Sequence, residues 1–118
     1  VSADIGIKQA IINAKKTGEY LIKKMTKLSK KYPIIAHIRG KGLFLGFELA
    51  SKLLEPLPKQ TKYLINRMLE FKILLSSDGL DKNVIKIKPP LTFNIENSDY
   101  LIRCLDIVFS EDYMKLSN

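Results

Sequence analysis

Ile7, Ile11, Ala14, Gly18, Leu21, Met25, Leu28 and Tyr32 recur every three or four residues, the spacing of one face of an α-helix. The pattern predicts a long amphipathic helix that Pro33 closes at about Tyr32. Lys8, Lys15, Lys16, Lys23, Lys24, Lys27, Lys30 and Lys31 fall off the apolar stripe, toward solvent. A coiled-coil seam would show a similar stripe, but this one is short and β-like patterning follows it. Gly18 lies on the apolar face, where glycine costs a helix about 1 kcal/mol relative to alanine. A neighbouring element approaching closely at that point would offset the cost.

Beyond Pro33 the period changes. Residues 34–39 read as a short strand, Gly40-Lys41-Gly42 as a turn, and residues 43–49 as a second strand. Leu43, Leu45, Phe47 and Leu49 share one face of that strand, and Phe44, Gly46 and Glu48 the other. Pro56 and Pro58 keep the next connection extended, and a second helix over residues 59–71 carries Leu64, Ile65, Met68 and Phe71 on its apolar side. Residues 73–76 form a short apolar strand, residues 77–83 a polar seven-residue loop, and residues 84–88 a strand that alternates. In that last strand Ile85 and Ile87 point one way, and Val84, Lys86 and Lys88 the other; Pro89 and Pro90 end its pairing. Asn94 caps a final helix that runs to about Met114, with Leu101, Cys104, Leu105 and Val108 inward. The order predicts an α+β fold: a small, mostly antiparallel sheet with helices packed on it.

A chain of 118 residues, 46% hydrophobic, suits a single domain, residues 1–118, with one core. It has no apolar run of membrane-spanning length and no signal-peptide pattern. Its single cysteine, Cys104, excludes an internal disulfide, fits a reducing compartment and reads as core. The first residue is Val1, so a processed chain or a piece of a longer one is expected. The net charge of +8 is uneven: residues 1–62 carry thirteen Lys and Arg against four Asp and Glu. That balance raises nucleic acid as a partner. Only three arginines are present and no Arg-rich or aromatic-rich stretch, so a solvated lysine face accounts for the excess more simply. His37 has no second ligand near it and reads as structural. No Ser/His/Asp set, metal cluster or phosphate loop is present. What remains is the strand at residues 84–88, which buries isoleucines on one side and aims Lys86 and Lys88 off the other. It could meet an anion there, or simply present solvated lysines.

Two stretches, in order, carry a resemblance. Ile38-Arg39-Gly40-Lys41-Gly42-Leu43-Phe44-Leu45-Gly46-Phe47-Glu48-Leu49 resembles the Arg-Gly-x-Gly-Leu…Gly…Glu-Leu segment that opens the C-terminal small domain of class III, fold type I aminotransferases. Lys86-Ile87-Lys88-Pro89-Pro90-Leu91 resembles the same family's Arg-x-x-Pro-Pro-Leu. The run Ile73-Leu74-Leu75-Ser76-Ser77-Asp78-Gly79, followed by residues 83–90, is similar to the branch of phospho-lyases acting on ethanolamine phosphate or phosphohydroxylysine.

The resemblance implies the small C-terminal domain of a cytoplasmic enzyme that uses pyridoxal phosphate, bound by a large domain absent from this chain. The reaction is transamination, or phosphate elimination from a phosphorylated amine. The implied partners are that large domain, a second subunit of a homodimer and a small amine substrate, with no membrane and no nucleic acid. The family's Schiff-base lysine and phosphate cup belong to the large domain, so no catalytic or cofactor-binding residue is expected here and the piece alone is expected to be inactive. Many members bind a substrate carboxylate with the arginine of Arg-x-x-Pro-Pro-Leu, and here that position is Lys86. Lysine offers a compact point charge in place of a planar fork, which suits a phosphate, or a substrate lacking that carboxylate, at least as well. Lys86 is thus the one substrate-binding candidate; a packing role stays open. Arg39, Gly40, Gly42 and Gly46 read as structural. The rivals are a stand-alone basic binding module for nucleic acid or another anionic partner, and a noncatalytic remnant of a split gene.

Overall fold

The computed structural model describes residues 2–116. Three helices cover one face of a four-stranded antiparallel sheet, in the order α1 (Ser2–Lys31), β1 (Ile35–Lys41), β2 (Phe44–Leu49), α2 (Pro58–Glu70), β3 (Ser76–Asp78), β4 (Val84–Ile87) and α3 (Ile95–Phe109). A short 3-10 turn, Asp112–Met114, follows. The strand order is β1-β2-β4-β3, so the two hairpins join through β2 and β4.

Period-two alternation assigns the faces. Leu45 pairs with Ile87 and Phe47 with Ile85, and all four point into the core. There they meet Leu21, Met25 and Leu28 of α1, Leu64 and Met68 of α2, and Leu101, Cys104, Leu105 and Val108 of α3. Cys104 is buried, as its place on the stripe predicts. Asn94 caps α3 reciprocally with Asn97: each side chain accepts from the other's backbone N–H, at 2.8 and 3.0 Å.

The close approach expected at Gly18 is present. A Cβ there would fall 1.6 Å from the carbonyl oxygen of Gly42, in the β1–β2 turn. Gly42 has φ +59°, a left-handed conformation that glycine adopts without strain.

Several expectations need correction. The turn is tighter than the two glycines suggest: β1 runs on through Gly40 and Lys41, and Leu43 lies in the turn, not on β2. The third strand is not residues 73–76 but Ser76–Asp78. Leu75 is buried just ahead of it while Leu74 is 84% exposed, so those apolar residues are a crossing segment that buries Leu75 and packs Ile73 against the edge of the core. The hairpin loop shortens accordingly. The last helix stops at Phe109, where Ser110 caps it, short of Met114. Ile7 and Ile11, on the stripe by spacing, are about 60% exposed (60% and 58%). A 30-residue helix is about 45 Å long. It extends past the sheet in a molecule measuring 58 × 25 × 22 Å, which leaves Ile7 and Ile11 beyond the core.

Candidate functional site

The sheet face away from the helices carries the polar chemistry, and register decides which residues share it. Arg39 pairs with Gly46, Gly46 with Lys86, and Lys86 with Ser76, a row running straight across all four strands. Glu48 pairs with Ala36 on one side and Val84 on the other, and Val84 with Asp78, which forms the next row. A single extra residue between Ala36 and Arg39 makes a β-bulge, and His37 takes up the irregularity with φ +52°. The bulge keeps Arg39 on the outer face. Without it, the alternation fixed at Ala36 would turn Arg39 toward the helices.

Lys86 stands near the middle of this face, its side chain 31% exposed. Its ammonium group donates to Oδ2 of Asp78, one row along on the neighbouring strand. The other oxygen of Asp78, Oδ1, accepts the backbone N–H of Gly79 at 2.7 Å. The Lys86 ammonium first, then the Gly79 amide and the charge of Lys88, hold the Asp78 carboxyl below the usual carboxylate range. Asp78 is therefore ionised at neutral pH.

Gly46 opens the space between the two cations of the row. Its position is buried, and the stem of Arg39 lies over it, with Cγ 3.7 Å from where a Cβ would stand. The Arg39 guanidinium donates to the carbonyl of His37 at 3.2 Å and stands 3.6 Å from Glu48, whose carboxylate is 3.9 Å from His37. Lys88, next along β4, places its ammonium 5.7 Å from the ring centroid of Phe44. Beyond it, Pro89 and Pro90 line an open groove of about 520 Å³ together with Leu74, Phe93 and Tyr100.

The outer face thus holds a cation on each side of a glycine floor, each cation opposed by one carboxylate. It offers ammonium and guanidinium donors to an anion. Among the described residues no group of His, Cys, Asp and Glu could hold a metal ion, and no helix is long and apolar enough to cross a membrane.

Lys86 lies on the outer face, as the alternation of its strand predicts. Asp78, Phe44 and Glu48 were not singled out beforehand. Asp78 read as part of a polar loop, and only the true position of β3 brings it beside Lys86. Alternation does put Glu48 on the correct face, but its partners depend on the bulge.

The comparisons with known proteins agree with one another. The family model for class-III aminotransferases matches residues 5–109. Alanine–glyoxylate aminotransferase 2 homolog 2, mitochondrial, of Arabidopsis thaliana is 39% identical over 101 residues, covering 84% of this chain and 21% of that protein. Ethanolamine-phosphate phospho-lyase homolog 1 of Caenorhabditis elegans is 37% identical over 102 residues, 83% of this chain and 22% of that one. A solved phospholyase from Arthrobacter, in complex with phosphoethanolamine, superposes with a TM-score of 0.86 at 29% identity, over 92% of this chain and 26% of the other. The chain spans about a fifth of the length of the curated relatives it matches. A stand-alone nucleic-acid-binding module finds no support in these matches, and the α+β architecture is the one its solved relative shares. The chain belongs to the class III aminotransferase family.

Proposed function

We propose that these residues form the small C-terminal domain of a pyridoxal-phosphate-dependent enzyme acting on an amine, and that the outer face of the sheet closes one side of its active site. The observation that carries this reading is Lys86: it stands on the open face of the central strand, at the position where the family's motif has arginine, with its ammonium presented to a charged neighbour. In this role Lys86 binds the anionic group of the substrate. Arg39 and the glycines beside it shape the strand that flanks it.

The family uses pyridoxal phosphate. Tested against that cofactor, the described residues do not form a cradle by themselves. Every lysine is exposed or half-exposed on the surface, so none sits in the enclosed, desolvated setting that favours a Schiff-base amine. The reading therefore assigns cofactor and catalysis to a large domain of the parent enzyme. It also assigns the parent a second subunit and makes the 118 residues inactive alone. A cytoplasmic location completes it, on the strength of the lone buried cysteine; the Arabidopsis relative is named as mitochondrial, so fractionation of the parent is the check.

Elimination of phosphate from a phosphorylated amine is favoured over amino transfer. A lysine at position 86 suits a compact, doubly charged phosphate, and a relative and a solved neighbour carry phospho-lyase names. Transamination is the second reading, supported by the name of the Arabidopsis relative. The test incubates the full-length protein and pyridoxal phosphate with ethanolamine phosphate, phosphohydroxylysine and a panel of amino donors. Phosphate release without keto-acid formation is expected; amino transfer without phosphate release would overturn the elimination reading.

A further inference from the structure

Lys86 does not wait unpaired for a substrate: Asp78 already holds it. We propose that Asp78 is an internal latch on the Lys86 anion subsite, a carboxylate that occupies the ammonium between turnovers and weakens the retention of free anions. The inference rests on the reading of Lys86 as the substrate's anion contact.

Three features of the pair support a latch. First, Asp78 is fixed as a competitor. The Gly79 amide holds Oδ1, which leaves Oδ2 for Lys86, and β3–β4 pairing sets the two side chains on one face. Second, it is ionised at neutral pH, so it competes wherever the enzyme works. Third, the pair can open. Asp78 is 60% exposed at its side chain, and exposed ion pairs are weak. A buried pair would hold the lysine permanently and exclude it from binding.

The sign of the effect follows from competition. Each anion that takes the ammonium draws it away from Asp78, and it then lies beside that carboxylate. Both terms weaken binding, the second more for a phosphate dianion than for a singly charged group. Lys88, the other cation that acts on Asp78, remains stacked on Phe44 and adds attraction without relieving the competition. The consequence is a subsite that gives up a phosphate readily, because Asp78 reclaims the lysine as the anion leaves.

The test is calorimetric titration of the full-length holoenzyme with inorganic phosphate at constant ionic strength, for wild type, Asp78→Asn, Asp78→Glu and Lys86→Met. Asp78→Asn is expected to bind phosphate about 1.5- to fivefold more tightly, the factor by which an exposed pair masks its partner. Asp78→Glu keeps the charge and is expected to bind it as weakly as wild type. Equal or weaker binding by Asp78→Asn would overturn the latch. Lys86→Met separates the two failures. If it abolishes phosphate binding while Asp78→Asn changes nothing, only the latch is wrong. If it leaves phosphate binding intact, Lys86 is not the anion contact and both readings fall.

Discussion

The carbonyl oxygen of Gly42 lies where a side chain on Gly18 would begin, with 1.6 Å between it and a built Cβ. The contact joins the middle of α1 to the β1–β2 turn, and with it the longest helix to the edge of the sheet that carries Arg39. Alanine at position 18 gains about 1 kcal/mol in helix propensity, but it meets backbone, which cannot swing aside. Overpacking of this kind costs about 1–3 kcal/mol and more when backbone must move. Gly18→Ala is therefore expected to destabilise the chain by about 2 kcal/mol or more in urea unfolding. A neutral or stabilising result would mean that α1 and the turn are further apart than described.

Ile85 and Phe47 lie back to back with the polar row, 0% exposed beneath it. Truncating Ile85 to alanine removes three buried carbons, and losses of this size cost about 2–5 kcal/mol, against about 0.5–1.5 kcal/mol for Ile85→Val. The graded pair of variants distinguishes a packed core from a loose one. If both cost the same small amount, the inner face of β4 is not closely packed.

Two carboxylates tie the ends of the helices together, and both titrate in the same direction. Tyr32 donates to Asp106 Oδ1 at 2.6 Å and Lys31 at 2.9 Å, linking the end of α1 to α3. Arg67 and Tyr63 of α2 grip Glu111 just beyond α3, with Arg67 bidentate at 2.9 and 2.6 Å. The Tyr32 hydroxyl first, then Lys31, lowers the Asp106 pKa; Arg67 first, then Tyr63, lowers that of Glu111. A carboxyl with a depressed folded pKa contributes stability that is present above its unfolded value, near 4, and is lost as pH falls through the folded one. Stability is thus expected to be flat from pH 7 to 5 with respect to these groups and to fall below about pH 4. Glu111→Gln should flatten the acid limb of a plot of melting temperature against pH. An unchanged limb would show that the fork carries no linkage.

How much of this was legible in the sequence depended on whether local period or long-range register decided the outcome. The α1 stripe, the α3 cap at Asn94 and the two faces of β2 and β4 follow from spacing alone, and all three are present. The position of β3 was not legible. Its side chains are all exposed, so no burial pattern marks it, and the apolar residues ahead of it imitate a strand. That one displacement hid Asp78 from the reading of Lys86. The bulge at His37 was hidden for a related reason: an inserted residue leaves no trace in a six-residue alternation. The end of α3 was missed because the buried Met114 falls off the helix's apolar stripe and reaches the core through a separate 3-10 turn, which no local period marks.

Ile7 and Ile11 stand 60% and 58% exposed along the first turns of α1, in line with the stripe that becomes buried at Ala14, and Ile12, 47% exposed, lies to one side of them. Leu91 and Ile95 lie exposed across a shallow groove whose near wall is Ala10 and Thr17 of the same helix. Ile7 and Ile11, one turn apart, make an apolar strip that water solvates poorly, and burying one such side chain contributes about 1.5–3 kcal/mol. Nothing within the described residues covers it. The isolated 118-residue chain is therefore expected to self-associate with rising concentration, through this strip. Sedimentation of the chain beside a variant carrying Ile7→Glu and Ile11→Glu is the measurement. The two charges should shift it toward monomer without lowering its melting temperature, because neither side chain is part of the core. A wild-type chain that stays monomeric at millimolar concentration would remove the strip as a sticky surface. Association that the double variant retains would move the contact elsewhere, with the outer sheet face around Phe44 the next region to vary.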